Sequence, residues 1–497
     1  MYTVKQLIEA IKSGNITTFS SPDVKVYVSS YTQVGNTSLL MVRTAAGKKL
    51  IVTGEGELYD QLIGENVDGG KVASLSHENR LTLNQFLPYT APQAFGTQVA
   101  TMGLGDRLGI ASPGHIQTIR GKDIRPVLAQ QSIRELALTG RTYEDVLDAA
   151  AYAVFQEGYK DGYGADGDHL KKEEDIEYAL RLGFTMLTLD CSENIDNTIE
   201  SKSEAEIAAK YEQLPASLRN HYEKRYLETA ANVPGATLNY TRQALQKDVL
   251  IYDAAINFME AIFRKYIATL DRAVDFEISI DETATPTSPE AHYLVANELR
   301  DRGVTIFSMA PRFCGEFQKG IDYIGDIAQF ERELASHAAI AVHFEYKLSI
   351  HSGSDKFSVF PLIGQYTNGL FHIKTAGTNW LEAVRVVAKV NPSLYRRMHQ
   401  YALDHFGEAT AYYHVTTDIN AIVPLGEVSD ADLPDYMEEN NARQLLHITY
   451  GLLLQSKNAD GSKQFADEFF QTLAEQEDAF AEGLRYHIGR HLELLGK

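Results

Sequence analysis

Two histidines in this sequence, His169 and His351, come at the ends of short apolar runs, close to carboxylate or amide side chains. Imidazole nitrogens combined with oxygen ligands hold a divalent cation and leave open positions for a substrate. Either histidine alone is more readily explained as a hydrogen-bonded residue at a strand end or a helix cap. The joint placement of the two favours a metal site.

Asp168 directly precedes His169 in the glycine-rich segment GADGDHLKK. A turn of this composition can hold both side chains toward one cleft. Alternatively, Asp168 caps a helix that begins in LKKEEDIEYAL, because aspartate is a favoured residue at that position. We treat Asp168 as a candidate acid/base residue whose alternative role is structural.

Glu277 lies in the run DFEISID, in which polar and apolar residues alternate. A strand period of two places Glu277, Ser279 and Asp281 on one face and the apolar residues on the other. In a barrel whose helix-facing side is apolar, the polar face points inward. A carboxylate there needs a metal, a cation or a substrate to offset its desolvation. Glu277 is therefore the second acid/base candidate.

The elements that must position these residues are eight short apolar runs separated by longer helical patterns. Strand followed by helix, repeated about eight times, is typical of a (β/α)8 TIM-like barrel, with a doubly wound sheet as the alternative. The active site of such a barrel lies at the carboxyl ends of its strands, where the candidates fall. The runs occupy residues 99–105, 126–130, 163–165, 184–190, 275–281, 305–311, 346–352 and 371–377.

The rest of the sequence flanks or interrupts this barrel. Residues 1–95 alternate at period two and predict an N-terminal β-containing region. Residues 96–425 are the predicted catalytic barrel, with a helical insertion near 192–270, and residues 426–497 predict a helical C-terminal extension. Helices are expected to begin at Asp326 and at Ser288, which is followed by a proline, because both are favoured cap arrangements.

Composition excludes several classes of protein. The 497 residues include 46 lysines and arginines against 67 acidic residues, a formal net charge of −21, which argues against nucleic acid or an anionic membrane as partner. Two cysteines outside any CxxC pair exclude a disulfide framework, and charged residues interrupt the N-terminal apolar positions, so no signal peptide is expected. We expect a cytoplasmic protein that acts on a small molecule, with a homo-oligomer left open.

Nucleotide and protease motifs are missing from the sequence. Gly103, Gly105 and Gly109 are spaced one residue too far for a dinucleotide fingerprint, so no bound NAD is expected. The segment from Asp161 to Asp168 has an aspartate where a calcium-binding loop requires glycine. The chemistry must therefore come from polar residues at strand ends.

The chain resembles the tagaturonate epimerase family in four segments, which are SIDETATPTSPEAHY, APRFCGEFQKGIDYIGD, YKLSIHSGSDKFSVFPLIG and FHIKTAGTNWLEA. The resemblance spans roughly residues 99–420 and implies an isomerase of hexuronate catabolism. It implies a metal-dependent 4-epimerase that interconverts D-tagaturonate and D-fructuronate. It further implies Asp168 and Glu277 as the acid/base pair and His169, Gln318 and His351 as metal ligands.

Inverting a carbinol two carbons from a ketone restricts the mechanism, because enolisation acidifies only the adjacent carbon. Without NAD for a transient oxidation, the remaining route breaks the C3–C4 bond by retro-aldol cleavage, rotates the aldehyde and re-forms the bond. That route needs a Lewis acid and two acid/base groups on opposite sides. The alternatives are a class II aldolase or aldose–ketose isomerase acting on a related sugar acid, and a non-catalytic sugar-binding barrel.

Several assignments within this site stay open at the level of sequence. Histidine with oxygen ligands suits Zn, Mn, Ni or Co alike. Glu316 competes with Gln318, because a carboxylate is the more usual metal ligand. Arg312 and Lys374 supply positive charge and are predicted to bind a substrate carboxylate or phosphate, with a simple salt bridge as the alternative for each.

Overall fold

The fold is given by a computed structural model that describes residues 2–18, 21, 23–67, 69–229, 231–375 and 377–497. Near the N-terminus, the described residues form a five-stranded antiparallel sheet in the spatial order β1-β2-β3-β5-β4. One face of the sheet packs against Tyr152 and Phe155 of the barrel, and the other packs against the N-terminal helix. The strands are β1 (Lys25–Val34), β2 (Thr37–Thr44), β3 (Gly47–Gly54), β4 (Gly64–Val67) and β5 (Gly70–Ala73), with helices α1 (Tyr2–Lys12), α2 (Glu57–Gln61) and α3 (His77–Phe86).

A closed barrel of eight parallel strands follows within the described residues, and β13 pairs with β6 to close it. Each predicted apolar run overlaps one of these strands, and closure excludes the doubly wound alternative. The (β/α)8 prediction is therefore confirmed. The strands are β6 (Thr101–Gly103), β7 (Arg125–Ser132), β8 (Gly164–Leu170), β9 (Met186–Asp190), β10 (Asp275–Ile280), β11 (Ser308–Pro311), β12 (Lys347–Ile350) and β13 (Phe371–Lys374).

Strand β8 differs from the sequence interpretation. We expected a short run at 163–165 followed by a glycine-rich turn, but the strand continues to Leu170. The polar residues that made this segment resemble a turn face the barrel interior. The following helix begins at Glu173 and has Lys172 at its cap position, so Asp168 does not cap it.

Helices cover the outside of the barrel. Ser288 accepts a hydrogen bond from the backbone N–H of Ala291, and Asp326 accepts from the N–H groups of Ala328 and Gln329, so both expected caps are present. The helices are α4 (Ser112–Ile119), α5 (Ile133–Thr139), α6 (Tyr143–Glu157), α7 (Glu173–Leu182), α8 (Glu204–Tyr211), α9 (Ala216–Tyr226), α10 (Arg242–Ile262), α11 (Pro289–Asp301), α12 (Ile327–His343), α13 (Phe360–Tyr366) and α14 (Thr378–Val390).

The long connection between β9 and β10 holds three of these helices within the described residues. The apolar residues of α10 repeat at helical spacing, and α10 contacts both α8 and the barrel helix α11. A single π-helical turn, Phe263–Ile267, extends α10 toward β10. The predicted helical insertion is therefore α8 and α9, added to an enlarged barrel helix.

The C-terminal helices form a second hydrophobic core around α14. Trp380 is fully buried there and donates from Nε1 to the Leu446 carbonyl at 2.8 Å. The C-terminal helices are α15 (Pro392–Asp404), α16 (Phe406–Ala409), α17 (Asn440–Ile448), α18 (Tyr450–Gln455), α19 (Ala466–Glu475) and α20 (Glu477–Leu494).

Among the described residues, no helix is both long enough and apolar enough to span a membrane.

Candidate active site

Glu277 lies inside the barrel, where the strand register sets it level with Thr188 of β9 and Ser308 of β11. Both hydroxyls donate to its carboxylate, Thr188 Oγ1 to Oε1 at 3.2 Å and Ser308 Oγ to Oε2. The Glu277 side chain is completely buried. The polar face that β10 presents to the interior is therefore built around this carboxylate.

Lys374, at the end of β13, supplies the cation that balances this charge. Its Nζ lies 2.9 Å from Glu277 Oε1, 2.6 Å from Asp168 Oδ1 and 3.1 Å from Asp166 Oδ2. The lysine is itself buried. One ammonium group thus forms ion pairs with three carboxylates from β8 and β10, and these contacts use the protons with which it could bind a substrate.

The three carboxylates differ in their ionisation. Burial opposes charge on Glu277, but Lys374, His372 and His351 outweigh it and hold the pKa of Glu277 well below its usual range. Burial also opposes charge on Asp168, and Lys374 with His169 lowers the pKa of Asp168 nonetheless. For Asp166, burial prevails over Lys374 and raises the pKa above its ordinary value. Asp168 and Glu277 are therefore both ionised near neutral pH, which is the form that a general base requires.

An irregularity in β8 brings Asp168 and His169 to the same site. Successive side chains of a regular strand point to opposite faces, so neighbouring residues do not ordinarily share one. The pairing of β8 with β9 shifts between Gly167 and Leu170, and His169 takes a left-handed backbone conformation with φ of 54°. Such bulges redirect side chains at active sites.

His351, immediately after β12, lies between two carboxylates. Its Nε2 is 2.7 Å from Glu277 Oε1, and its Nδ1 is 3.1 Å from Asp281 Oδ2. Burial opposes the imidazolium, yet Asp281 and Glu277 raise the pKa of His351 to about 10. The His169 and His351 rings meet edge to face with centroids 4.8 Å apart. The two predicted ligand histidines therefore lie side by side at the barrel mouth.

His169 belongs to a group that can reach a single cation. The ligand atoms of His169, Asp190 and Glu282 all lie within 4.8 Å of one another. His169 Nδ1 is buried and has no hydrogen-bond partner among the described residues, with Asp190 Oδ2 3.6 Å away. An unpartnered imidazole nitrogen beside two carboxylates is a donor set that suits a divalent transition metal.

A cavity of about 520 Å³ lies beside this group and is lined by Glu282, Asp281 and His351. Arg312 lines it, and its guanidinium donates to the Thr283 carbonyl. Gln318 and Glu316 also line it. The Gln318 amide oxygen already accepts bonds of 3.0 Å from Thr416 N, Thr416 Oγ1 and Gln444 Nε2. The cavity therefore offers a cation for an anionic ligand, while Gln318 is held by the C-terminal region.

Sequence reasoning missed Asp166, Asp190 and Glu282 as members of this site. Asp166 is the aspartate at the glycine position of the calcium-like segment, and its spacing of two from Asp168 within one strand is a usable signal. Asp190 ends the apolar run 184–190, which does not by itself relate it to His169. Glu282 follows the Asp281 that ends the predicted run, and no spacing in the sequence relates it to His169.

Residues 27–495 match the family model described as tagaturonate epimerase. The chain belongs to the tagaturonate epimerase family. A curated relative, the tagaturonate/fructuronate epimerase of Thermotoga maritima, is 41% identical over 476 residues, which cover 95% of this chain and 97% of that protein. Because members of this family are epimerases, the chain is an enzyme of the isomerase class.

Solved structures of the family extend this likeness to three dimensions. The native crystal structure of fructuronate-tagaturonate epimerase from Cohnella laeviribosi is 64% identical, with a TM-score of 0.96 and complete coverage of both chains. A glycerol complex of the same protein matches equally well. The N-terminal sheet, the barrel and the C-terminal helices thus all occur together in this family.

Proposed function

We propose that this enzyme interconverts D-tagaturonate and D-fructuronate by inverting C4, the carbinol two carbons from the ketone. The observation that carries the proposal is the pair of carboxylates, Asp168 on β8 and Glu277 on β10, that face one another across the Lys374 ammonium. Relatives named for this reaction support the choice of substrates. An inversion that proceeds through bond cleavage needs two such groups on opposite sides of the reacting carbon.

Asp168 and Glu277 would exchange the C4 hydroxyl proton. In one direction, the first carboxylate takes that proton, the C3–C4 bond breaks, and its electron pair passes to C3 next to the ketone while C4 becomes an aldehyde. After the aldehyde rotates, C3 attacks its other face. The proton held by the first carboxyl group passes through the Lys374 ammonium, which contacts both carboxylates, to the second carboxylate, which then donates it to the new C4 oxygen. No net oxidation occurs, so the scheme needs no nicotinamide.

Lys374 would keep both carboxylates ionised before the substrate binds. When either one takes up the C4 proton, the ammonium remains bound to the other carboxylate and to Asp166, so the buried charge stays balanced. We therefore assign Lys374 to the acid/base machinery and leave binding of the substrate carboxylate to Arg312. The cavity that Arg312 lines lies directly over His351.

A divalent metal fits the donor set at the barrel mouth, and we propose His169, Asp190 and Glu282 as residues that would hold it. His351 and Gln318 are the further ligands implied by the family resemblance. Each now uses its donor atom within the protein, His351 on Glu277 and Gln318 on Thr416. A bound cation would supply Lewis acidity to offset negative charge on the substrate oxygens.

We further propose that the barrel of residues 96–425 carries out catalysis and that residues 1–95 and 426–497 support it. We also propose that the enzyme takes part in hexuronate catabolism in the cytoplasm.

An acidic protein repels an acidic substrate at long range. Local positive charge at the mouth must therefore reverse the field, and Arg312 with a bound cation would do so.

The deciding experiment is to incubate the purified, metal-loaded enzyme with D-fructuronate in D2O and to follow the products by NMR. We expect D-tagaturonate without incorporation of deuterium, because no C–H bond breaks. Release of three-carbon products would instead identify an aldolase, and deuterium at carbon would identify an aldose–ketose isomerase. Failure to form tagaturonate overturns the proposal.

A further inference from the structure

Lys356, in the loop that follows β12, is a buried lysine whose hydrogen bonds all go to backbone carbonyls. Its Nζ donates to the carbonyls of Gln318 at 2.8 Å, Ile321 at 2.6 Å and Ser354 at 2.8 Å. Its side chain is completely buried. Among the described residues, no carboxylate lies within ion-pair distance of this Nζ. An ammonium has three protons, and all three are used here.

These bonds join two loops that both contribute to the site. Gln318 and Ile321 belong to the loop after β11, and Ser354 belongs to the loop after β12, which begins with His351. The same two loops meet a second time at the surface, where Asp322 accepts from the backbone N–H and the hydroxyl of Ser358. Among the described residues, Lys356 therefore makes the buried one of two hydrogen-bonded contacts between these loops.

The C-terminal helices fix the residue next to Lys356. Asp355 has a left-handed backbone with φ of 62°, and its carboxylate lies 3.1 Å from Arg443 and 2.9 Å from His487. Its backbone N–H donates to His491 Nε2 at 3.1 Å. The loop after β12 is thus held on one side by α17 and α20 and on the other by Lys356.

We propose that Lys356 is a positioning residue, whose bonds to the Gln318 and Ile321 carbonyls hold His351 at the distance from Glu277 that the reaction requires. The inference rests on the proposed function, because it gives His351 and Glu277 their roles. Burying an ammonium without a paired carboxylate is costly. An apolar side chain at this position would avoid that free-energy cost of burial. A lysine is explained here because its hydrogen bonds fix the alignment of the two loops.

Substrate binding depends on contacts that Lys356 does not touch. Arg312 is held by the loop after β10, since its backbone N–H donates to Thr287 Oγ1 at 3.0 Å and its guanidinium donates to the Thr283 carbonyl. Loss of Lys356 should therefore misplace His351 more than Arg312. This difference predicts an effect that falls on kcat rather than on KM.

The test compares Lys356→Met with Lys71→Met in the full-length enzyme. Lys71 is an equally suitable buried lysine, whose Nζ donates to the carbonyls of Tyr59 at 2.6 Å and Leu62 at 2.7 Å in the N-terminal region. For Lys356→Met we expect kcat to fall about a hundredfold with a much smaller change in KM, because small misplacements of catalytic groups have effects of that order. For Lys71→Met we expect lower thermal stability and an unchanged kcat.

Hydrogen exchange supplies a readout that does not depend on turnover. In Lys356→Met the amides of residues 313–324 and 351–359 should exchange faster than in the parent enzyme, and in Lys71→Met they should not. If the parent enzyme is inactive on hexuronates, the proposed function is wrong. The exchange rates still test whether Lys356 positions the two loops. Unchanged exchange in both loops, or unchanged kcat in Lys356→Met, overturns the proposal.

Asp322→Asn is the variant to use if Lys356→Met does not fold. It weakens the second contact between the same loops at a half-buried position, where Ser358 is exposed, so the fold should survive. We expect a smaller fall in kcat, of about threefold to tenfold, and faster exchange confined to the two loops. Normal kcat together with faster loop exchange would show that loop alignment does not govern the reaction.

Discussion

His351 Nε2 lies 2.7 Å from Glu277 Oε1, so a proposed metal ligand and a proposed acid/base group share one hydrogen bond. A cation that binds His351 through this nitrogen must replace the proton between them. The metal and the acid/base chemistry are therefore coupled through a single contact.

Replacing Glu277 by Gln should lower kcat by roughly 10²- to 10⁴-fold, the range that a general acid/base group contributes. The amide is isosteric and keeps the hydrogen bond from Thr188, so the fold should persist. The measurement is turnover of D-fructuronate together with metal content. Glu65→Gln, on an exposed strand of the N-terminal sheet, should be fully active. Undiminished turnover with the metal bound would remove Glu277 from the mechanism.

Replacing Lys374 by Met should cost about 3–5 kcal/mol of unfolding free energy, because it leaves three buried carboxylates without their shared cation. The pKa values of Asp168 and Glu277 should rise as well, since Lys374 lowers both. Urea denaturation measures the first effect. The matched control is Lys172→Met, whose partner Glu174 is largely exposed, and whose loss should cost less than about 1 kcal/mol. Equal costs for the two variants would contradict the shared-cation interpretation.

Replacing Arg312 by Met should raise KM by about tenfold to a hundredfold with little change in kcat. A hydrogen bond to a charged group contributes roughly 1.5–3 kcal/mol, and each 1.4 kcal/mol is a factor of ten. Steady-state kinetics over a range of D-fructuronate concentrations separates the two constants. Arg332→Met, exposed on α12, serves as control. A loss confined to kcat would place Arg312 in the chemistry instead.

Removal of metal should abolish activity reversibly. Dialysis against EDTA is expected to give inactive protein, and addition of Zn, Mn, Ni or Co should restore turnover. Metal content before and after identifies the ion, and His169→Gln should retain much less of it because His169 offers the unpartnered nitrogen. Full activity in protein shown to be free of metal would exclude a metal-assisted mechanism.

The stability of the C-terminal region should depend on pH through His487. This side chain lies 2.9 Å from Asp355 Oδ1 and 3.5 Å from Glu382 Oε1, with Arg443 and His491 facing Asp355. Burial opposes its charge, but Asp355 and Glu382 raise the pKa of His487. A histidine whose pKa is raised by folding stabilises the folded state fully at pH values below its pKa in the unfolded chain, about 6.5. That stabilisation is lost as the pH rises through its pKa in the folded protein.

The unfolding free energy should therefore decrease above about pH 6.5, and His487→Gln should make that decrease shallower. Asp355 has the opposite pH dependence. Burial opposes its ionisation, but His487 and Arg443 hold the pKa of Asp355 well below its usual range. Its contribution to the unfolding free energy is therefore lost on acidification. Urea denaturation at a series of pH values measures both slopes. Parallel curves for the parent and His487→Gln would contradict the assignment.

The barrel could be predicted from sequence because its strands are apolar runs that end in polar residues. Strand β8 is the exception, because two carboxylates of the site, Asp166 and Asp168, lie within it and interrupt its apolar pattern. Glu277 could be predicted from period two within β10. The grouping of His169 with Asp190 and Glu282 could not, because it depends on how β8, β9 and the loop after β10 meet at the mouth.

Lys374 shows a further limit of sequence reasoning. Its position at a strand end predicted a cation in the site, but the number of carboxylates that share it follows only from the barrel register. Lys356 carried no signal at all, because its partners are backbone carbonyls, which every residue has.

His169 adopts a left-handed backbone, a conformation that residues with a Cβ atom seldom occupy and that glycine occupies readily. Glycine would relieve a strain of roughly 1–2 kcal/mol, which exceeds the roughly 0.5–1 kcal/mol that its greater freedom in the unfolded chain costs. That substitution would remove the imidazole. Selection for thermal stability and selection for catalysis therefore oppose each other at this residue, and a redesign guided by stability alone would destroy the site here first.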